Sequence, residues 1–195
     1  MLNMETPRER FIRLLRSTEA KGVEDLIAWL DDPHCDFFVA PASTKYHCAY
    51  EGGLVDHSLA VFDECVRLCN AYADRPEVAA ISRASVIKVA LLHDVCKANM
   101  YKPAMKSRKN AAGSWEKYLG WDHDEQFKFG GHGSKSVFIV SRYLDLTDEE
   151  AAAINCHMGT WDVKEVQSIS QVYNVNPLAW LLHAADEAAT FILKK

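Results

Sequence analysis

The sequence predicts an all-α fold: a single-domain helical bundle with a short irregular or β-hairpin excursion around residues 101–129. Three observations carry this. Apolar residues recur at helical spacing in most segments, and strand-like alternation is confined to one stretch. The 195 residues, 49% hydrophobic and 25% charged, suffice for one core, and no repeat or biased linker divides them.

The elements follow in order. Thr6 before Pro7 starts a helix that feeds Phe11, Leu14 and Leu15 inward. Val23 to Leu30 reads as a second short helix, stopped by Asp31, Asp32 and Pro33. A loop from Pro33 to Gly53 holds His47, Tyr50 and the Gly52–Gly53 pair. Leu54 to about Tyr72 is a long amphipathic helix, and Ser82 to about Lys97 another. Tyr101 to Trp121 alternates, with Asn110 to Gly113 as a turn. Gly131 to Tyr143 is helical again. Thr147 with Glu150 is a capping box opening a helix to about His157, and Asn176 before Pro177 opens a last helix through Leu181 to Leu193.

Composition excludes several classes. The net charge of −5 makes the chain a poor general binder of nucleic acid or membrane surface. No apolar run approaches the roughly 18 residues that span a bilayer. The N-terminus lacks the basic start, apolar stretch and cleavage site of a signal peptide. The compartment this predicts is the cytoplasm, where the six cysteines stay reduced. Cys65 and Cys69 have no second Cys/His pair at zinc-finger spacing and read as small buried hydrophobes.

The informative residues are polar ones on apolar faces. His57 shares a face with Leu54, Val61, Cys65 and Leu68. His93, with Asp94 beside it, shares one with Val86, Val89 and Ala90. His157 points with Ala153 and Ile154, and Asp186 with Ala179, Leu182, Ala189 and Leu193. His132 at the head of the Gly131 helix adds a fifth contributor. One histidine on an apolar face is ordinarily a hydrogen-bonded core residue. Five such positions together point to a cation, because buried Asp and His are costly without partners and a bound ion supplies them at once. Four imidazoles and two carboxylates suit Fe, Zn, Mn, Co or Ni. Six donors exceed what one open ion needs and suit two ions sharing a carboxylate, for which Asp94 is the natural bridge. Lys97, one turn beyond His93 and Asp94, would place an ammonium beside an oxyanion.

The quoted elements are YHCAYEGGLVDHSL at 46–59, LLHDVCK at 91–97, GGHG at 130–133, INCHMG at 154–159 and LLHAADEA at 181–188. Their order resembles the HD-domain superfamily of metal-dependent phosphohydrolases. The double-glycine lead segment resembles the HD domains of bacterial 3′–5′ exoribonucleases. The resemblance implies one HD domain over 1–195, with 1–45 an N-terminal helical extension and 46–190 the core. It implies His57 as first ligand, His93 and Asp94 as the doublet, His132 and His157 as the added ligands of two-metal members, and Asp186 as the closing ligand. Asp94 and Lys97 take the catalytic roles. Cys96 replaces the small Gly usual before that Lys. Where the exoribonucleases carry a nucleic-acid-binding β-barrel, the roughly 45 residues ahead of the core read helical, which argues against a processive RNA substrate.

The function expected is hydrolysis of a phosphoester or phosphoanhydride of a nucleotide or other small phosphorylated metabolite. Water activated by one or two divalent ions (Mn, Fe, Co, Ni, Zn or Mg) would be the nucleophile. His47 and Lys135 are candidate phosphate contacts, and Trp161 a candidate stacking surface. Lys102, Lys106, Arg108 and Lys109 form a basic cluster on an excursion that either lies over the site as a lid or wall and draws the substrate in, or is a solvated hairpin with ordinary surface charge. Long nucleic acid and membrane are not expected partners, and an oligomer is compatible with the sequence. Two alternatives share these ligands or this scaffold: a di-iron oxygenase, and a non-catalytic sensor or interaction module.

Overall fold

The computed structural model describes residues 5–162 and 166–193. In chain order the helices are α1 (Pro7–Arg16), α2 (Val23–Leu30), α3 (Gly53–Ala71), α4 (Pro76–Ala79), α5 (Arg83–Leu92), α6 (His132–Val140), α7 (Asp148–Cys156), α8 (Val166–Val175) and α9 (Pro177–Glu187). A hairpin of β1 (Tyr101–Lys109) and β2 (Trp115–His123) separates α5 from α6. The short α4 and the whole of α8 go beyond what the sequence indicates.

The caps are those the sequence specifies. Thr6 and Glu9 form a reciprocal capping box on α1, and Thr147 and Glu150 do the same on α7. Ser82 caps α5 and Asn176 caps α9, each through its side-chain oxygen. Asn176 also donates its amide to the Glu149 carbonyl, tying α9 to α7.

One continuous core gathers Leu54, Val61 and Cys65 of α3, Val86 and Ala90 of α5, Ile154 of α7, and Ala179 and Leu182 of α9. α3 packs on α5 and α9, and α7 packs on the same two helices. These four are the helices predicted to aim polar groups inward. Across α5 and α7 Lys88 donates to Glu150 at 2.5 Å, a pair almost wholly buried. No disulfide joins any of the six cysteines.

Three features depart from the sequence reading. The Ser82 helix ends at Leu92, and Val95–Lys97 forms a separate 3-10 turn. The last helix passes into a π-type turn over Ala188–Leu193, so Leu193 is 37% exposed rather than buried. The hairpin turns at Asn110–Gly113 as expected, with the Asn110 carboxamide accepting from the backbone of Ala112 and Ser114. The outer part of the hairpin is exposed at Met105, Trp115 and Leu119, while His123 to Phe129 form a wall of the cleft beside the centre. Only its root borders the centre, because regular pairing from Tyr101–His123 to Lys109–Trp115 carries the strands outward.

The loop before α3 is held by the double glycine. Gly52 adopts a left-handed conformation (φ 81°), and a Cβ on Gly53 would stand 2.0 Å from the Cys48 carbonyl oxygen. Backbone bonds from Gly52 to Val39 and from Leu54 to Ala40 lock this loop against α3. His47 is thereby brought beside His57.

Candidate metal centre

His57 lies in the second turn of α3, wholly buried. His93 and Asp94 pose a geometric problem on a continuous helix, where adjacent side chains diverge by about 100°. The end of α5 resolves it. His93, the C-cap just after Leu92, keeps helical dihedrals, and Asp94 leaves helical geometry with φ −108° and ψ 16°. His157 terminates α7 in the same way. Each of these two imidazoles uses Nδ1 against the carbonyl three residues back, Ala90 at 2.8 Å for His93 and Ile154 at 2.7 Å for His157. That contact fixes the ring and points Nε2 inward, as the outer hydrogen bond of a metal-ligating histidine does.

The donor atoms converge. His57 Nε2 stands 3.0 Å from Asp186 Oδ1 and 3.7 Å from Asp94 Oδ2. His93 Nε2 stands 3.4 Å from Asp94 Oδ2 and 3.9 Å from Asp186 Oδ1, and His157 Nε2 is 3.5 Å from Asp94 Oδ1. Ligand atoms about 2.0–2.2 Å from a shared ion lie roughly 3–3.5 Å apart. Two groups result, His57 with His93 and Asp186, and His93 with Asp94 and His157. The two groups share the single Nε2 of His93, and the two oxygens of Asp94 face different histidines.

The residues fit a cation on the chemistry of the donors. Nε2 of His57, His93 and His157, together with Asp94 Oδ1, are buried without a hydrogen-bond partner. Such orphans are costly unless something satisfies them, and one divalent ion among them does. Burial alone would raise the Asp94 carboxyl, but the Lys97 ammonium, 2.6 Å away, and the imidazole of His93 hold it well below the ordinary range. Burial would likewise lower the Lys97 amine, and Asp94 more than reverses this and keeps it protonated. Against the same opposition from burial, contact with His57 holds the Asp186 carboxyl below the usual value.

The other predicted residues fall into two sets. His47 joins the centre: its ring lies 4.6 Å from that of His57, and both its nitrogens are buried without a partner. Burial, reinforced by His57 and Lys97, drops its pKa to about 4. His132 belongs to neither ligand group. Its Nδ1 lies 3.5 Å from Cys96 Sγ, at the edge of the centre. Lys135 bonds Glu125 and the Phe127 carbonyl. Lys106 pairs with Asp122, and Arg108 with Glu116 at 2.6 Å, so these cations are neutralised within the hairpin. Trp161 is 83% exposed.

Several supporting residues carry no motif of their own. Asp162 accepts from the Gly133 backbone N–H at 3.0 Å, and its carboxylate occupies the space a Cβ on Gly131 would fill. A Cβ on Gly133 would meet the Asn155 carbonyl oxygen at 2.2 Å. Gly131 and Gly133 of GGHG therefore serve close approach of α6 to Asp162 and to α7, and the clustering of glycines at a helix start was the available signal. His183 Nδ1 contacts the His157 carbonyl at 2.7 Å, and the Tyr173 hydroxyl donates to the Cys156 carbonyl at 3.1 Å. Both grip the end of α7 from behind. A cleft of about 570 Å³ adjoins the centre at His132, with Glu125, Phe129, Lys135 and Asp162 among its walls.

Comparison with known proteins agrees with this geometry. The family model for the HD domain matches residues 54–190. The dihydroneopterin 2′,3′-cyclic phosphate phosphodiesterase of Methanocaldococcus jannaschii is 36% identical over 186 residues, 94% of this chain and 63% of that protein. The chain thus spans just under two thirds of that relative's length. No solved structure matches the chain.

Proposed function

The chain belongs to the HD domain family, and on that premise we propose that it hydrolyses a phosphodiester of a small phosphorylated metabolite at a metal centre. The observation that carries this is the convergence of orphaned, buried imidazole nitrogens and a carboxylate oxygen within contact distance of one another. The Methanocaldococcus relative acts, by its name, on a pterin 2′,3′-cyclic phosphate. That favours a small cyclic phosphodiester over RNA, and the likeness of the lead segment to exoribonucleases then reflects only the shared loop and first ligand.

His57, His93, Asp94, His157 and Asp186 would hold the ions, with His132 at the edge of the second position. Bound there, a divalent ion supplies an activated water near neutral pH and offsets charge on phosphoryl oxygens. Asp94 sits where it touches both ligand groups and keeps Lys97 charged. Lys97 would stabilise the negative charge that develops on a phosphoryl oxygen, at a buried position where an ammonium acts strongly. His47, neutral at physiological pH, would donate a ring N–H to a second substrate oxygen.

The test is direct. The chain is loaded separately with Mn, Fe(II), Co, Ni, Zn and Mg, and assayed on bis-p-nitrophenyl phosphate and on dihydroneopterin 2′,3′-cyclic phosphate. Hydrolysis that requires an ion and disappears in His93→Ala is expected. Stoichiometric metal binding with no hydrolysis of any phosphodiester would overturn the proposal.

A further inference from the structure

The cleft beside the centre lies between the root of the hairpin and the start of α6. Its inner end is at His132, which touches Cys96 two residues beyond Asp94. A ligand with its phosphate at the metal ligands would extend into this space, and about 570 Å³ accommodates a bicyclic ring with a short side chain.

The wall carries both signs of charge: Asp124, Glu125 and Asp162 line it together with Lys128 and Lys135. Two of the carboxylates are committed. Asp162 caps α6, and Asp124 bonds Lys102 at 2.9 Å. Glu125 differs. Its Oε1 is held by Lys135 at 2.5 Å, in a pair only 13% and 21% exposed, and its Oε2 makes no hydrogen bond among the described residues. Lys135 also donates to the Phe127 carbonyl, so the loop is pinned on both sides of Gln126. Gln126 uses its amide N–H on the Asp124 carbonyl, which leaves its side-chain oxygen as an acceptor. Phe129 adds a flat ring to the wall, braced by Phe138 at 5.1 Å. The wall therefore offers a planar apolar surface and fixed acceptors.

We infer that this cleft binds the heterocycle of the substrate, that the heterocycle carries an amide N–H beside an exocyclic amino group, as pterins and guanine do, and that Glu125 reads this edge. The inference rests on the phosphodiesterase reading, which places the phosphate end at the metal ligands. One carboxylate oxygen has two lone pairs and accepts from both donors. A ring lacking the donors leaves a partly desolvated carboxylate unpaired, which discriminates by about ten-fold or more.

Two measurements keep the cleft and the chemistry apart. Calorimetric binding of guanosine, inosine and adenosine to the full chain reports on the cleft alone. The values of kcat/KM for their 2′,3′-cyclic phosphates report on both. Guanosine is expected to bind about ten-fold more tightly than adenosine, with inosine, which lacks the amino group, between them. In Glu125→Gln, an isosteric change that keeps an acceptor for Lys135, the ratio should fall below about three while metal content stays the same. Equal affinities in the unaltered chain, or a preference that survives Glu125→Gln, would overturn the inference. Failure of the phosphodiesterase reading looks different: no cyclic ester is cleaved, while the nucleoside preference persists.

Discussion

Replacing Asp94 by Asn removes the charge that Lys97 faces at 2.6 Å while preserving the shape of the side chain. Both side chains are at least nine-tenths buried, at 2% and 9% exposure. At an effective dielectric constant of about 20 the gross attraction at this distance is about 6 kcal/mol. Much of it offsets desolvation, and losing one partner of such a pair costs about 3–5 kcal/mol because the other charge is left buried. In a chain of this size that corresponds to a fall of roughly 6–20 °C in the thermal midpoint of the metal-free protein. Adding Lys97→Met removes the stranded ammonium and should restore most of the midpoint. Neither variant should hold a metal ion at full occupancy, because the carboxylate between His93 and His157 is gone from both. Scanning calorimetry on metal-free samples and elemental analysis on metal-loaded ones separate the two effects. A midpoint unchanged in Asp94→Asn would show that the pair is not coupled as described. Full metal content in the double variant would show that Asp94 is not a ligand.

Three further outcomes follow from other parts of the structure. Gly133→Ala places a Cβ 2.2 Å from the Asn155 carbonyl oxygen and should destabilise the chain by about 1–3 kcal/mol, seen as a lowered urea midpoint. Neutralising Lys106, Arg108 and Lys109 together should change KM for an anionic substrate by less than about two-fold at low ionic strength, since Asp122 and Glu116 already pair with the first two; a ten-fold rise would restore the substrate-capturing role. The metal-free chain should lose stability as pH falls from 6.5 toward about 4. Over that window His47, depressed in the folded state, binds fewer protons than in the unfolded chain, so stability rises with pH. Asp94 and Asp186, also depressed, add a loss of the same sign below the ordinary carboxylate range. His47→Phe should flatten the upper part of this slope in denaturation followed against pH.

Periodicity and capping chemistry are local properties, and they determined most of the helical frame without any tertiary information. The capping boxes at Thr6 and Thr147 and the prolines at 7 and 177 place helix starts because each satisfies backbone donors within one turn. The inward faces bearing His57, His93, His157 and Asp186 were legible for the same reason: polar residues at core spacing stand out against an apolar stripe. What the local pattern did not contain was how adjacent residues would diverge or converge. His93 and Asp94 reach one centre because the helical path of α5 stops at His93 and Asp94 turns out of it, with no breaker residue in the sequence to announce it. The basic residues of the hairpin looked like a substrate trap in one dimension. Only the folded hairpin shows that Lys102, Lys106 and Arg108 each have a carboxylate partner, Asp124, Asp122 and Glu116. The roles of Glu125, Asp162 and His183 also arise only from contacts between segments distant in the chain, because a lone carboxylate or imidazole acquires meaning from the group that folding brings against it.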